Sequence, residues 1–321
     1  MELSAFVTKV KALVCLIRGL TLAIAIVPAA LAGTALAVDL NQHGLTGSWY
    51  QPATSGEGIE LEIYPDLVAP GVGFLQGSWL TFTTLGSWDY GHDISASGQR
   101  WYTFGGTVPE AAERATFTLY ENRGGNFNRL PVTSAVPVGT VVLSFSDCTT
   151  ARMEYAFNDG VGDRASGTIS LIRLLPNVTC TVSGAGTHDA DFGYSGNWFD
   201  PVTAGQGFFF EVNPEAGVMF LVWHTYAPEG QSETGGGQRW YTGLGNFTPG
   251  LRSIPMTLHQ TTGGLRDGGG GVTEVVGTAT AILLSCNAAM LTFTFIGGTS
   301  AGMSDTINLS RVGPTPADCG P

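Results

Sequence analysis

The stretch Gly44-Leu-Thr-Gly47-Ser-Trp49-Tyr-Gln-Pro52-Ala-Thr54-Ser-Gly56-Glu-Gly58 returns later as Gly193-Tyr-Ser-Gly196-Asn-Trp198-Phe-Asp-Pro201-Val-Thr203-Ala-Gly205-Gln-Gly207. Gly, Trp, Pro, Thr and the Gly-x-Gly pair recur at the same spacing, so the chain reads as a tandem duplication. The register continues downstream. Glu62 answers Glu211, Gly98-Gln-Arg-Trp-Tyr-Thr103 answers Gly237-Gln-Arg-Trp-Tyr-Thr242, Gly124-Gly125 answers Gly263-Gly264, Cys148 answers Cys286, and Arg173 answers Arg311. The copies span 43–180 and 192–319 and are joined by the small, polar segment 181–192. Each is of single-domain size, so each is expected to bury its own core and to fold when produced alone.

Within the first copy, segments of period two follow one another with turn residues between them. The expected strands are 48–51, 59–64, 74–83, 99–104, 116–121, 140–146, 152–157 and 168–174. Ile59, Leu61 and Ile63 share one face, and Glu60 and Glu62 point the other way. No segment carries ten residues of helical periodicity, and 109–114 offers at most one or two turns. The 46 glycines and the 12 % of charged residues suit short strands and tight turns. The expected fold is all-β: two tandem antiparallel eight-stranded meander barrels, with β-sandwiches as the alternative.

Lys9, Lys11 and Arg18 precede an apolar run over 20–32, followed by Thr34-Ala-Leu-Ala37, which is the pattern of a cleaved secretory signal peptide covering 1–37. The run is short for a spanning helix and contains Pro28. The expected compartment is secreted or periplasmic, with no membrane association after cleavage. Without 1–37 the chain keeps eleven cations against 25 acids, a balance of −14. All eleven are arginine. The absence of lysine excludes a Schiff-base or P-loop lysine, and the acidic balance argues against nucleic acid as a partner. Four cysteines remain, and their matched positions predict the internal pairs Cys148–Cys180 and Cys286–Cys319. CxxC-like spacing for a zinc site is absent.

The Gly-x-Trp openings at Leu45–Tyr50 and Ser195–Phe199 resemble the first strand of the calycins, the lipocalin and avidin-like barrels. The chain more closely resembles a repeat domain of secreted Gram-negative bacterial proteins. That pattern is Gly-x-Trp, Gly-x-Gly-[Phe/Ile], Trp-x-Thr-[Tyr/Phe], Gln-Arg-Trp and a late Cys followed by a closing Arg. Here it falls on Gly47, Trp49, Gly56, Gly58, Trp79, Gln99-Arg-Trp101, Cys148 and Arg173, and on their second-copy counterparts. The resemblance implies fold and compartment and brings no activity with it.

Chemistry is sparse. His92, His188, His224 and His259 lack a histidine at the matched position, His224 standing against Leu80 and His259 against Tyr120, so they are expected at the surface or rim. No nucleophile elbow, His-Glu-x-x-His or phosphate loop occurs. Gly56-x-Gly58 and Gly205-x-Gly207 read as turn or bulge glycines with positive φ. The oxygen-rich segment 158–163 could hold calcium, but a hairpin turn explains it and the second copy does not repeat it. Glu62 and Glu211 lack a matched second carboxylate for glycosidic chemistry.

The aromatic–arginine set remains. Arg100-Trp101-Tyr102 and Arg239-Trp240-Tyr241 put Trp on one face of a strand and Arg with Tyr on the other. With Trp49, Trp198, Glu62 and Glu211 they form the expected ligand-binding set. The competing expectation is that the four tryptophans plug the cores while Arg100 and Arg239 pair with Glu62 and Glu211. The sequence therefore predicts a non-enzymatic binding protein for a glycan or small molecule, without cofactor or metal. The alternatives are a structural or adhesive surface protein and, third, a carboxylate-dependent hydrolase.

Overall fold

A computed structural model describes residues 38–83, 98–158, 166–182, 189–229, 237–317 and 319–320. Residues 1–37 with the proposed leader, His92, His188 and most of the 158–163 segment lie outside the described residues.

The described chain is all-β. The first eight strands are β1 Gly47–Tyr50, β2 Gly58–Ala69, β3 Val72–Phe82, β4 Gln99–Val108, β5 Arg114–Asn122, β6 Ala135–Phe145, β7 Thr150–Phe157 and β8 Ser166–Arg173. The second eight are β9 Gly196–Phe199, β10 Gly207–Asn213, β11 Val218–Tyr226, β12 Gln238–Asn246, β13 Ser253–Thr262, β14 Val272–Ser285, β15 Ala288–Phe295 and β16 Ser304–Arg311. Each set is an antiparallel meander that closes on itself. Closure runs through Trp49↔Arg173 and Tyr50↔Ile172 in the first, and through Trp198↔Arg311 and Phe199↔Ser310 in the second. The barrel expectation holds over the sandwich, and every expected strand of the first copy is present. Strands β2 and β6 run beyond their expected ends past Pro65 and Pro137, where the ladders slip register. Residues 109–112 make only a turn, in which Ala112 N donates to Pro109 O.

Alternating burial is clean where a barrel faces solvent. In β7, Ala151, Met153, Tyr155 and Phe157 are buried while Thr150, Arg152 and Ala156 are exposed. In β2 every residue from Ile59 to Tyr64 is buried, and in β10 every residue from Phe208 to Asn213. Those strands have a covered outer face because the other copy lies on it. Each barrel has its own apolar core, one around Trp49, Trp79 and Tyr102, the other around Trp198, Trp223 and Tyr241. A third cluster draws Leu80, Phe82 and Trp101 from one copy and Phe209, Val222, Tyr226 and Trp240 from the other.

The copies also exchange loops. Phe127, between β5 and β6, enters the core of the second barrel and meets Trp223, Phe293 and Phe295. Arg266, at the matched place between β13 and β14, enters the first barrel and lies over Trp79, Tyr102 and Phe157. Separating the copies therefore uncovers apolar surface and opens both barrels. Single-domain size predicts that each copy folds alone; with Phe127 and Arg266 exchanged, segments 43–180 and 192–319 produced apart are instead expected to be poorly folded and to recover a complex when mixed, read by size-exclusion chromatography and circular dichroism. A half that alone melts at the temperature of the intact chain would contradict this.

Disulfides join Cys148 to Cys180 and Cys286 to Cys319, the pairs expected from the matched positions. The Gly-x-Gly expectation needs a correction at its second position. Gly56 and Gly205 have φ of +105° and +99°. Gly58 and Gly207 do not have positive φ; a Cβ on either would sit 2.7 Å from Trp49 O or Trp198 O, so close backbone approach excludes a side chain there.

Candidate functional site

The retained acids are the place to begin, because a carboxylate that is wholly buried must be satisfied by the protein itself or by what it binds. Glu62 is fully buried at the junction of the two copies. Its Oε1 accepts from Arg311 Nη1 at 2.6 Å, and its Oε2 accepts from Asn197 N at 2.6 Å and Tyr64 Oη at 2.8 Å. Glu211 mirrors this in part: its Oε2 accepts from Ser48 N at 2.9 Å, while its Oε1 takes no hydrogen bond. Arg173 lies beside it, since a Cβ on Gly47 would sit 2.8 Å from Glu211 Oε1 and 2.9 Å from Arg173 Nη2. Burial raises the Glu211 carboxyl, and the Arg173 charge opposes that rise. Burial also drives the Tyr64 phenol up, with the Glu62 charge adding to it.

The two arginines are strand-end ties. Arg173 donates to Gly44 O at 2.8 Å and Thr46 O at 2.5 Å; Arg311 donates to Gly193 O at 2.6 Å, Ser195 O at 3.1 Å and Cys286 O at 2.8 Å. Each guanidinium also lies over its own opening tryptophan, Arg173 over Trp49 and Arg311 over Trp198. Gly47 and Gly196, at φ of +146° and +139°, leave room for the carboxylate from the other copy. The Gly-x-Trp opening, the strand glutamate and the closing arginine are thus one device that fastens copy to copy. The sequence pattern held all three parts but assigned the arginine wrongly: Arg311 and Arg173, not Arg100 and Arg239, face Glu62 and Glu211.

The remaining members of the expected ligand set are buried too. Trp49 and Trp198 belong to the barrel cores, as expected for plugs, with Nε1 donating to Leu45 O and Tyr194 O. Trp101 and Trp240 instead leave their barrels and join the shared cluster, because Trp and Tyr alternate across the strand and Tyr102 and Tyr241 take the inward places. They are held reciprocally: Gln99 Nε2 donates to Trp240 O at 2.6 Å and Gln238 Nε2 to Trp101 O at 2.8 Å. Trp101 Nε1 reaches Thr225 O at 3.1 Å and Trp240 Nε1 reaches Thr81 O at 3.4 Å. Arg100 and Arg239 donate to the carbonyls of Gln99 and Gln238, and Arg239 Nε reaches Thr299 Oγ1 at 3.4 Å.

Of the ten expected residues, Trp101 and Trp198 line a cavity of about 290 Å³ between the copies. One wall carries Gln76, Ser78, Thr103 and Asn122 from the first copy; the other carries Asn197, Phe199, Gln206, Phe208 and His224 from the second. His224 is therefore not a rim residue. It is 7 % exposed, stacks edge-on against Trp101, and has Nε2 3.6 Å from Glu60 Oε2. His259 is half-buried. Duplication supplies a matched set of positions on the opposite side, and its residues differ in kind. Where the cavity side has Glu60, Gln76, Ser78 and His224, the matched positions hold Phe209, Phe220, Val222 and Leu80, which pack in or against the shared apolar cluster.

A second divergence lies at the plugged mouths. Thr81 Oγ1 donates to Glu57 Oε2 at 2.5 Å, and Asp267 N donates to the same oxygen at 3.3 Å. In the second barrel Thr225 Oγ1 and Asn128 N make the same contacts to Gln206 Oε1 at 2.7 and 2.9 Å. Where the second barrel has Gln206, Phe127, Asn128 and Phe293, the first has Glu57, Arg266, Asp267 and Tyr155. Tyr155 Oη bonds Asp267 Oδ2, and Arg266 Nη2 donates to Tyr102 Oη at 3.1 Å. Burial pushes the Glu57 carboxyl up to about 7, against the bond from Thr81. Burial also raises the Tyr155 phenol.

Among the described residues no three His, Cys, Asp or Glu side chains cluster as metal ligands, and no helix is long and apolar enough to cross a membrane. No protein-family model matches the chain, and no curated protein is significantly similar to it.

Proposed function

We propose that this chain is an exported, non-enzymatic binding protein, of the secreted Gram-negative repeat type its motifs resemble, that takes a small molecule or a single unit of a glycan in the cleft between its copies. The leader pattern over 1–37 and the two disulfides support export to the periplasm or beyond the cell. The observation that carries the reading is the contrast between matched positions on the two sides. A duplicated scaffold needs the same packing on both sides, so polar residues on one side opposite apolar ones on the other answer to something besides packing. The cavity lies at the junction of two packed units and combines aromatic walls with a few polar groups.

The test is to screen the mature protein by isothermal titration against sugars and small molecules, beside Gln76→Phe, which writes the matched Phe220 into the cleft wall. Gln76 is half-buried, so the variant should melt as wild type does. Binding should weaken by about tenfold or more, equivalent to ~1.4 kcal/mol. A ligand held equally by both proteins would remove the cleft from this role. Each barrel carries its own apolar core, which favours the second reading, a structural or adhesive spacer; a chain that binds nothing in such a screen fits that reading.

A further inference from the structure

We infer that the cleft is built for a compact organic cation, a molecule carrying an ammonium group beside a small apolar body; this rests on the cleft being the binding site. The argument starts from Glu60. It is 3 % exposed and belongs to the covered outer face of β2. Of the other interface carboxylates, Glu62 pairs with Arg311 at 2.6 Å, and Glu211 has the charge of Arg173 nearby although its Oε1 takes no hydrogen bond. Glu121 has Arg123 at 2.6 Å. Among the described residues Glu60 has only the Ser78 hydroxyl, at 2.7 Å, and the His224 imidazole, which carries charge only when protonated. A buried carboxylate without an opposite charge is costly, and a cation entering beside it removes that cost.

Ser78 and His224 both line the cleft, so the carboxylate stands directly behind its wall. Two further buried atoms there lack hydrogen-bond partners, Asn122 Oδ1 and His224 Nε2. The first is an acceptor. The second faces Glu60 Oε2 at 3.6 Å, where a proton on Nε2 points at the carboxylate. An ammonium brings three donors and no acceptor, which suits the Glu60 carboxylate behind the wall and the unpartnered Asn122 Oδ1. Among the described residues no lysine or arginine lines the cavity, and Trp101, Phe199 and Phe208 give it aromatic surface of the kind that attracts cations. The volume of about 290 Å³ limits the occupant to a small molecule or one sugar ring. The matched positions have Phe209 in place of Glu60 and Leu80 in place of His224, so this chemistry belongs to one side alone.

The experiment titrates the intact mature protein with matched probes, 2-phenylethylamine against 2-phenylethanol and glucosamine against glucose. The ammonium member of a pair should bind about tenfold or more tightly than its neutral partner, with the preference shrinking as salt is added. Glu60→Gln should abolish the preference. Gln76→Lys, at a half-buried position opposite Glu62 in the β2–β3 ladder, should abolish ammonium binding even if Glu60→Gln folds poorly. Equal binding of neutral and charged partners, or no binding of either ammonium probe, overturns the inference. Neutral probes that bind and are blocked by Gln76→Phe would keep the cleft as the site while removing the cation. Ammonium binding that Gln76→Phe leaves intact would remove the cleft itself.

Discussion

Arg311→Ala is expected to lower the stability of the mature protein by about 3–5 kcal/mol, the range for removing one partner of a buried ion pair. Glu62 is fully buried and accepts from Arg311 Nη1 at 2.6 Å, so the variant leaves a carboxylate in the interface with no counter-charge. The same guanidinium holds the carbonyls of Gly193, Ser195 and Cys286, which lose their donor as well. At ~2–4 °C per kcal/mol, thermal unfolding should fall by roughly 6–20 °C. Glu154→Ala is the control. Its bond to Arg152 at 3.1 Å joins two substantially exposed side chains, and such pairs contribute about 0–1 kcal/mol. Pairing Arg311→Met with Glu62→Leu should recover part of the loss, because no charge then remains buried. An Arg311→Ala protein that melts with wild type would show that the arginine tie between the copies is not what holds them.

The second expected result concerns pH. Glu57 takes a folded value of about 7 against an ordinary 4.5, chiefly through burial, with Thr81, Asp267 and Arg266 as its immediate neighbours. Between those values the folded protein holds a proton that the unfolded chain has released. The Glu57 contribution is therefore complete below pH 4.5 and is lost as pH rises through 7, by about 3 kcal/mol in all. Glu57→Gln, which installs the residue found at the matched position 206, should remove this slope. The measurement is the urea midpoint of wild type and variant from pH 4.5 to 8. The difference between the two curves should change by that amount, and curves that run parallel would refute the assignment. Amide exchange should locate the loosening at residues 263–271, whose Asp267 N donates to the Glu57 carboxylate.

The sequence on its own determined what depends on near neighbours and on the comparison of one copy with the other. Period-two alternation placed the strands of the first copy, because inward and outward side chains alternate along any strand. Matched cysteines determined the disulfide pairs, because each pair lies within its own copy at nearly the same spacing, 32 and 33 residues. It also singled out Glu62, Glu211, Arg173 and Arg311 as retained. Which arginine meets which glutamate was decided only by the tertiary structure. Arg311 and Glu62 are 249 residues apart, and no local pattern says that the outer face of β2 is covered by the second copy. The same holds for Trp101 and Trp240, inward by composition and outward by alternation, whose burial comes from the opposite barrel. It holds also for Phe127 and Arg266, loop residues by every local sign, which become core residues of the barrel they do not belong to. The cleft is the last case: Gln76, Ser78 and Asn122 lie on different strands of one copy and His224 and Asn197 on different strands of the other. Two closed barrels had to be apposed before these side chains could face a common space.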